Sequence, residues 1–63
     1  MEMLEDIIKA YENGTEAEKD LVVKSKAIPM SVNGKKAIRF LGRIARATFI
    51  VDECVWTDHR NML

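Results

Sequence analysis

Cys54 and His59 are the single cysteine and the single histidine of this 63-residue chain. A nucleophile and its base must lie within hydrogen-bond reach and need a third group to orient the base. On a continuous helix, residues five apart diverge by about 140° at ~100° per residue, so this pair does not make a catalytic dyad. Zinc would need more ligands than Cys54, His59, Asp52 and Asp58 supply. Gly14, Gly34 and Gly42 are scattered, so no glycine-rich loop cradles a phosphate. The amino-terminal acids fit the solvated face of an amphipathic helix. The chain therefore reads as non-enzymatic, with no catalytic residue, no metal and no cofactor.

Charge is the more telling chemistry. Residues 1–20 carry −5, residues 21–51 carry +7 with no Asp or Glu among them, and residues 52–63 carry −2. A neutral total hides an acidic–basic–acidic chain, a pattern that points to a charged partner. Lys35, Arg39, Arg43 and Arg46 are separated by four, four and three positions, which on a helix sets them on one side, with Lys36 beside them. Such a row attracts phosphates through counterion release, and arginines read guanine edges in a major groove. The competing reading is a solvated face, or one neutralised by an acidic surface from elsewhere. Exposed helices usually interleave both signs, and this segment does not.

The segment from Ala37 to Arg43, followed by Thr48, resembles a helix-turn-helix register, with Leu41-Gly42 as the turn and a second helix near Ile44. Ile38 stands where a small residue is usual, and the second helix is largely apolar, with Arg43, Arg46 and Thr48 as its polar contacts. A protein-binding module competes with nucleic acid. Phe40, Phe49, Ile50 and Trp56 are its candidate partner or dimer interface, while Trp56 also suits the core. A membrane surface is disfavoured, because the strongest amphipathic helix is anionic.

These side chains need elements to place them. Met3, Leu4, Ile7, Ile8 and Tyr11 follow helical spacing, and Asn13-Gly14 stops that helix, with Gly14 free to take a left-handed cap. Thr15-Glu16-Ala17-Glu18 is a capping box that opens a second helix. Pro29 biases Ile28 away from helical geometry, so that helix ends near Ala27. Beyond it, either Ser31 caps a third helix or Asn33-Gly34 forms a two-residue hairpin turn. We adopt the helix, because Ala37, Ile38, Leu41, Ile44, Ala45 and Thr48 repeat at helical spacing. Thr48-Phe49-Ile50-Val51 also suits a short strand.

The expected fold is all-α: one domain over residues 1–63 with helices near 2–13, 16–27, 31–41 and 44–56, helix-turn-helix-like, and residues 59–63 as a frayed tail. The last two helices are allowed to run on as one, and the Asn33-Gly34 hairpin with following strands is the standing alternative. A chain of this size buries only about 60% of its unfolded surface, so a partner would relieve a marginal core. An apolar content of 48% is too high for intrinsic disorder. No apolar run reaches the ~20 residues that span a bilayer. One thiol and no signal peptide fit a reducing cytosol. The expected function is a small cytoplasmic regulator that binds nucleic acid through Lys35, Lys36, Arg39, Arg43 and Arg46 as a homodimer. Its size suits a bacteriophage or mobile element, although no residue shows that source. The alternative is an inhibitor or adaptor that meets an acidic protein surface.

Overall fold

Two helices lead into a four-stranded antiparallel sheet, so the fold is α+β; the all-α, helix-turn-helix-like expectation is corrected. The structure, a computed structural model, describes residues 2–43 and 45–60, without the side chains of Glu2, Asp58, His59 and Arg60. Ile44, expected to start the fourth helix, lies outside the described residues, as do residues 61–63 of the expected tail.

Helix α1 spans Glu2–Glu12 and turns Met3, Ile7 and Ala10 inward. Asn13 closes it, its amide and its Nδ2 both donating to the Lys9 carbonyl, at 3.1 and 2.8 Å. Gly14 does not take the left-handed cap; among the described residues only Asn33, Gly34 and Cys54 have positive φ. Close packing explains the glycine instead. A Cβ there would stand 2.9 Å from Glu18 Cβ and 3.3 Å from the Ala10 carbonyl oxygen.

Helix α2 spans Glu16–Lys24 and opens with the expected capping box. The Thr15 amide donates to Glu18 Oε1 at 2.8 Å, and the Glu18 amide donates to Thr15 Oγ1 at 3.3 Å. The helix stops at Lys24, three residues short of Ala27, with Ser25 in extended geometry. Strand β1, Lys26–Val32, begins at once, because pairing along its whole length with β2, Lys35–Leu41, outweighs less than one further turn of weak helix. Pro29 is tolerated because β1 is an edge strand, where a missing amide donor breaks no ladder on the outer side.

Asn33 (φ 53°) and Gly34 (φ 79°) join Val32 to its partner Lys35, supplying the two positive φ angles of a type I′ turn. The expected helix over 31–41 is thus a hairpin. The expected helix over 44–56 is replaced by β3, Arg46–Ile50, a turn over residues 51–54, and the start of β4, Val55–Arg60. Leu41-Gly42 is no helix-turn-helix corner: it leaves β2 for the loop to β3, which the Gly42 amide closes onto the Ala45 carbonyl at 2.8 Å. His59 and Arg60, expected in the tail, belong to β4.

Strand order is β1-β2-β3-β4, every pair antiparallel. One sheet face lies under the helices and holds Ile38, Phe40, Ala47, Phe49 and Val51 against Ala10 and Leu21. Trp56 seals this layer. Its ring lies 5.3 Å from Phe40 and 5.4 Å from Phe49, and its Nε1 donates to the Ala10 carbonyl at 3.0 Å. Each fully enclosed phenylalanine contributes about 1.5–3 kcal/mol of burial, and this layer is where the small fold finds its core.

Candidate functional site

Strand pairing sorts every side chain of the sheet onto one of two faces, since residues opposite each other in register share a face. The face turned away from the helices is built in rows. Lys26, Leu41 and Arg46 form the first. Ile28, Arg39, Thr48 and Thr57 form the second, and Met30, Ala37, Ile50 and Val55 the third. Val32 and Lys35 end the face at the hairpin turn. None of these residues belongs to the cluster packed on the helices. The result is an open sheet face, cationic at one end and apolar in the other half. Ala37, Thr48 and Ile50 are nevertheless buried there, shielded by the longer side chains around them. Thr48 Oγ1 is enclosed without a hydrogen-bond partner.

The sequence-predicted cations separate on this scaffold. Lys35 and Lys36 are neighbours on a strand, so they point to opposite faces. Lys35 pairs with Glu53 at the far end of the open face. Lys36 lies on the helix side and reaches Asp6 Oδ2 at 3.2 Å, with that carboxylate only 15% exposed. Lys24, at the end of α2, pairs with Asp20 at 3.3 Å. Arg39 and Arg46 do share the open face, and Arg43 sits exposed in the loop between β2 and β3. The single helical stripe therefore does not exist. In its place Lys26, Arg39, Arg43 and Arg46 gather where β1 begins, β2 ends and β3 begins.

The predicted interface residues separate as well. Phe40 and Phe49 are fully buried beneath the helices, and Trp56 packs beside them, so the aromatic set serves the core. Ile50 lies on the open face. Sequence reasoning missed Lys26, Ile28, Met30, Leu41 and Val55 as members of this face. Ile28-x-Met30-x-Val32 is a short apolar alternation that carried the signal, hidden behind the expected helix end at Pro29.

Among the described residues no three of His, Cys, Asp and Glu come together to hold a metal. Cys54 is exposed on the turn between β3 and β4, its Sγ 3.8 Å from the Val51 carbonyl oxygen. A shallow groove of about 220 Å³ runs between Val32, Ile50 and Val55, with Lys35 and Glu53 in its lining. It is smaller than the roughly 300–1,000 Å³ of small-molecule sites, so it belongs to the relief of the open face. Among the described residues no helix is long and apolar enough to cross a membrane. No protein-family model, curated protein or solved structure matches the chain.

Proposed function

We propose that the chain is a non-enzymatic protein-binding module whose open sheet face docks on an acidic, partly apolar protein surface. One observation carries this reading: the face combines an apolar half, where Val55 is exposed and Ile28, Met30 and Val32 are half-buried, with a cationic end built from Lys26, Arg39 and Arg46. An apolar centre with charges beside it is the composition of a protein interface. Charge complementarity then selects the partner and speeds encounter. The lone exposed thiol of Cys54 leads us to place the module in a reducing cytosol.

Nucleic acid is the second reading, favoured by the gathering of Lys26, Arg39, Arg43 and Arg46 at one end. Against it, sheet platforms for single strands stack bases on aromatic side chains. Phe40, Phe49 and Trp56 all lie on the helix side instead.

Amide chemical shifts of the labelled protein separate the two. The probes are a designed amphipathic helical peptide with a Glu-rich polar face and a short duplex DNA, each across a salt series. The protein-binding reading expects the peptide to shift amides of β1, β2 and β3, and Lys26→Glu/Arg46→Glu to abolish the effect. Duplex binding with a steep salt slope that those substitutions flatten, beside an inert peptide, would overturn it in favour of nucleic acid.

A further inference from the structure

The helices carry a surface of the opposite character. Met3, Ile7 and Ala10 form the inward row of α1, but a second row, Leu4, Ile8 and Tyr11, repeats the same i, i+4, i+7 spacing on its outer side. These residues are 60%, 49% and 42% exposed. Lys19 Nζ lies 5.5 Å from the centre of the Tyr11 ring, which brings α2 alongside this row. Val23, one turn beyond Lys19 on the same side of α2, is 70% exposed. Glu5 and Glu12 flank the α1 row, and Glu16 lies on α2 on the way to Val23, while Asp20 is paired with Lys24. One side of the molecule is thus apolar with acidic flanks, and the opposite side is apolar with a cationic end.

We propose that the chain self-associates head to tail, the helical layer of one copy seating on the open sheet face of the next. This rests on the reading of the sheet face as a docking surface, and it names a second copy as an occupant. Charge decides between the possible pairings. Helix layer on helix layer brings the Glu5–Glu12 edge of one copy against the same acidic edge of the other. Sheet face on sheet face sets the Lys26–Arg46 row against its own mate or against the neutral Lys35–Glu53 pair. Only helix layer on sheet face brings Glu5, Glu12 and Glu16 against Lys26 and Arg46. Opposed potentials steer encounter and suppress like-charged alternatives.

Size agrees. Four strands spaced about 4.8 Å apart, with about six residues each at 3.3 Å, make a face roughly 19 by 20 Å. Helix α1 is about 16 Å long, and two helices side by side are about 20 Å wide. A footprint of a few hundred Å² is below the ~800 Å² per partner of a standard interface, so the association is weak and screened by salt. A heterologous contact of this kind builds chains or rings rather than a closed two-fold dimer.

Sedimentation from micromolar to millimolar protein tests this. Wild type is expected to pass beyond dimer as concentration rises, with the association constant falling at least about tenfold between low and high salt. Leu4→Lys/Ile8→Lys blocks the helical side and Lys26→Glu/Arg46→Glu the sheet side; each variant alone stays monomeric. Mixed together they form a one-to-one heterodimer and nothing larger, since each keeps one working surface. Should the double lysine variant lose its circular dichroism, Ile8→Ala replaces it, with the same expected block in weaker form. A closed wild-type dimer, or a mixture that stays monomeric, overturns the proposal. A wild-type monomer at millimolar concentration that still responds to the Glu-rich peptide overturns self-association alone. A monomer inert to the peptide removes the docking reading with it.

Discussion

Trp56 does two things that no other described side chain does together. Its ring covers Phe40 and Phe49, and its Nε1 ties β4 to the end of α1 through the Ala10 carbonyl. Trp56→Phe keeps most of the apolar cover and deletes the donor, leaving that carbonyl to find water. The expected loss is about 1–2 kcal/mol, read as a lower urea midpoint at unchanged slope; an unchanged midpoint would show that the bond contributes nothing net. Thr48 presents the reverse case. Its hydroxyl is enclosed on the open face with no partner, so Thr48→Val removes a buried polar group at nearly constant volume. Stability is expected to rise by about 1 kcal/mol. A fall of similar size would reveal that the hydroxyl is satisfied in solution.

At the scale of elements, the hairpin turn sets the register of the sheet. Gly34 sits at φ +79° with open space around it, so Gly34→Ala meets no clash and tests backbone strain alone. The cost expected for an L-residue there is about 1–2 kcal/mol, and denaturant unfolding checks it; a cost near zero would mean the turn relaxes to another type. The elements that were legible in the chain are those with local chemistry: α1 through its apolar spacing, α2 through its capping box, and the hairpin through Asn33-Gly34, which stood as the alternative. The central strands were not legible, for a physical reason. In β3 Ala47, Thr48, Phe49 and Ile50 are all buried, and in β2 Ala37 and Ile38 are buried in succession. When both faces are sheltered, the period of two disappears, and the run cannot be told from a buried helix by spacing. The open face shared this fate. Its rows are made by pairing across strands, so Lys26 and Arg46 meet around Leu41 although twenty positions separate them in sequence.

At the scale of the molecule, the fold converts a charge pattern along the chain into two sides of opposite sign, with the helices on one side and the open sheet face on the other. Part of that separation is neutralised internally: Lys36 reaches Asp6, Lys35 reaches Glu53, and Lys24 reaches Asp20. Lys26, Arg43 and Arg46 lie outward at the opposite end from the Lys35–Glu53 pair, and they give the sheet its outward field. A domain this small holds only a few kcal/mol of net stability, so whatever covers the open face shows up in its unfolding. For a partner that binds only the folded state at ten times its dissociation constant, the gain is about 1.4 kcal/mol. In a 60–100-residue domain each kcal/mol moves the midpoint by about 4–8 °C. If copies cover one another, the thermal midpoint at low salt climbs by several degrees as protein concentration is raised through the association range. At high salt the climb disappears, and in Lys26→Glu/Arg46→Glu it is absent at any salt. A midpoint that rises equally with concentration in wild type and variant would locate the contact elsewhere on the molecule. A midpoint independent of concentration would leave the open face to a different protein.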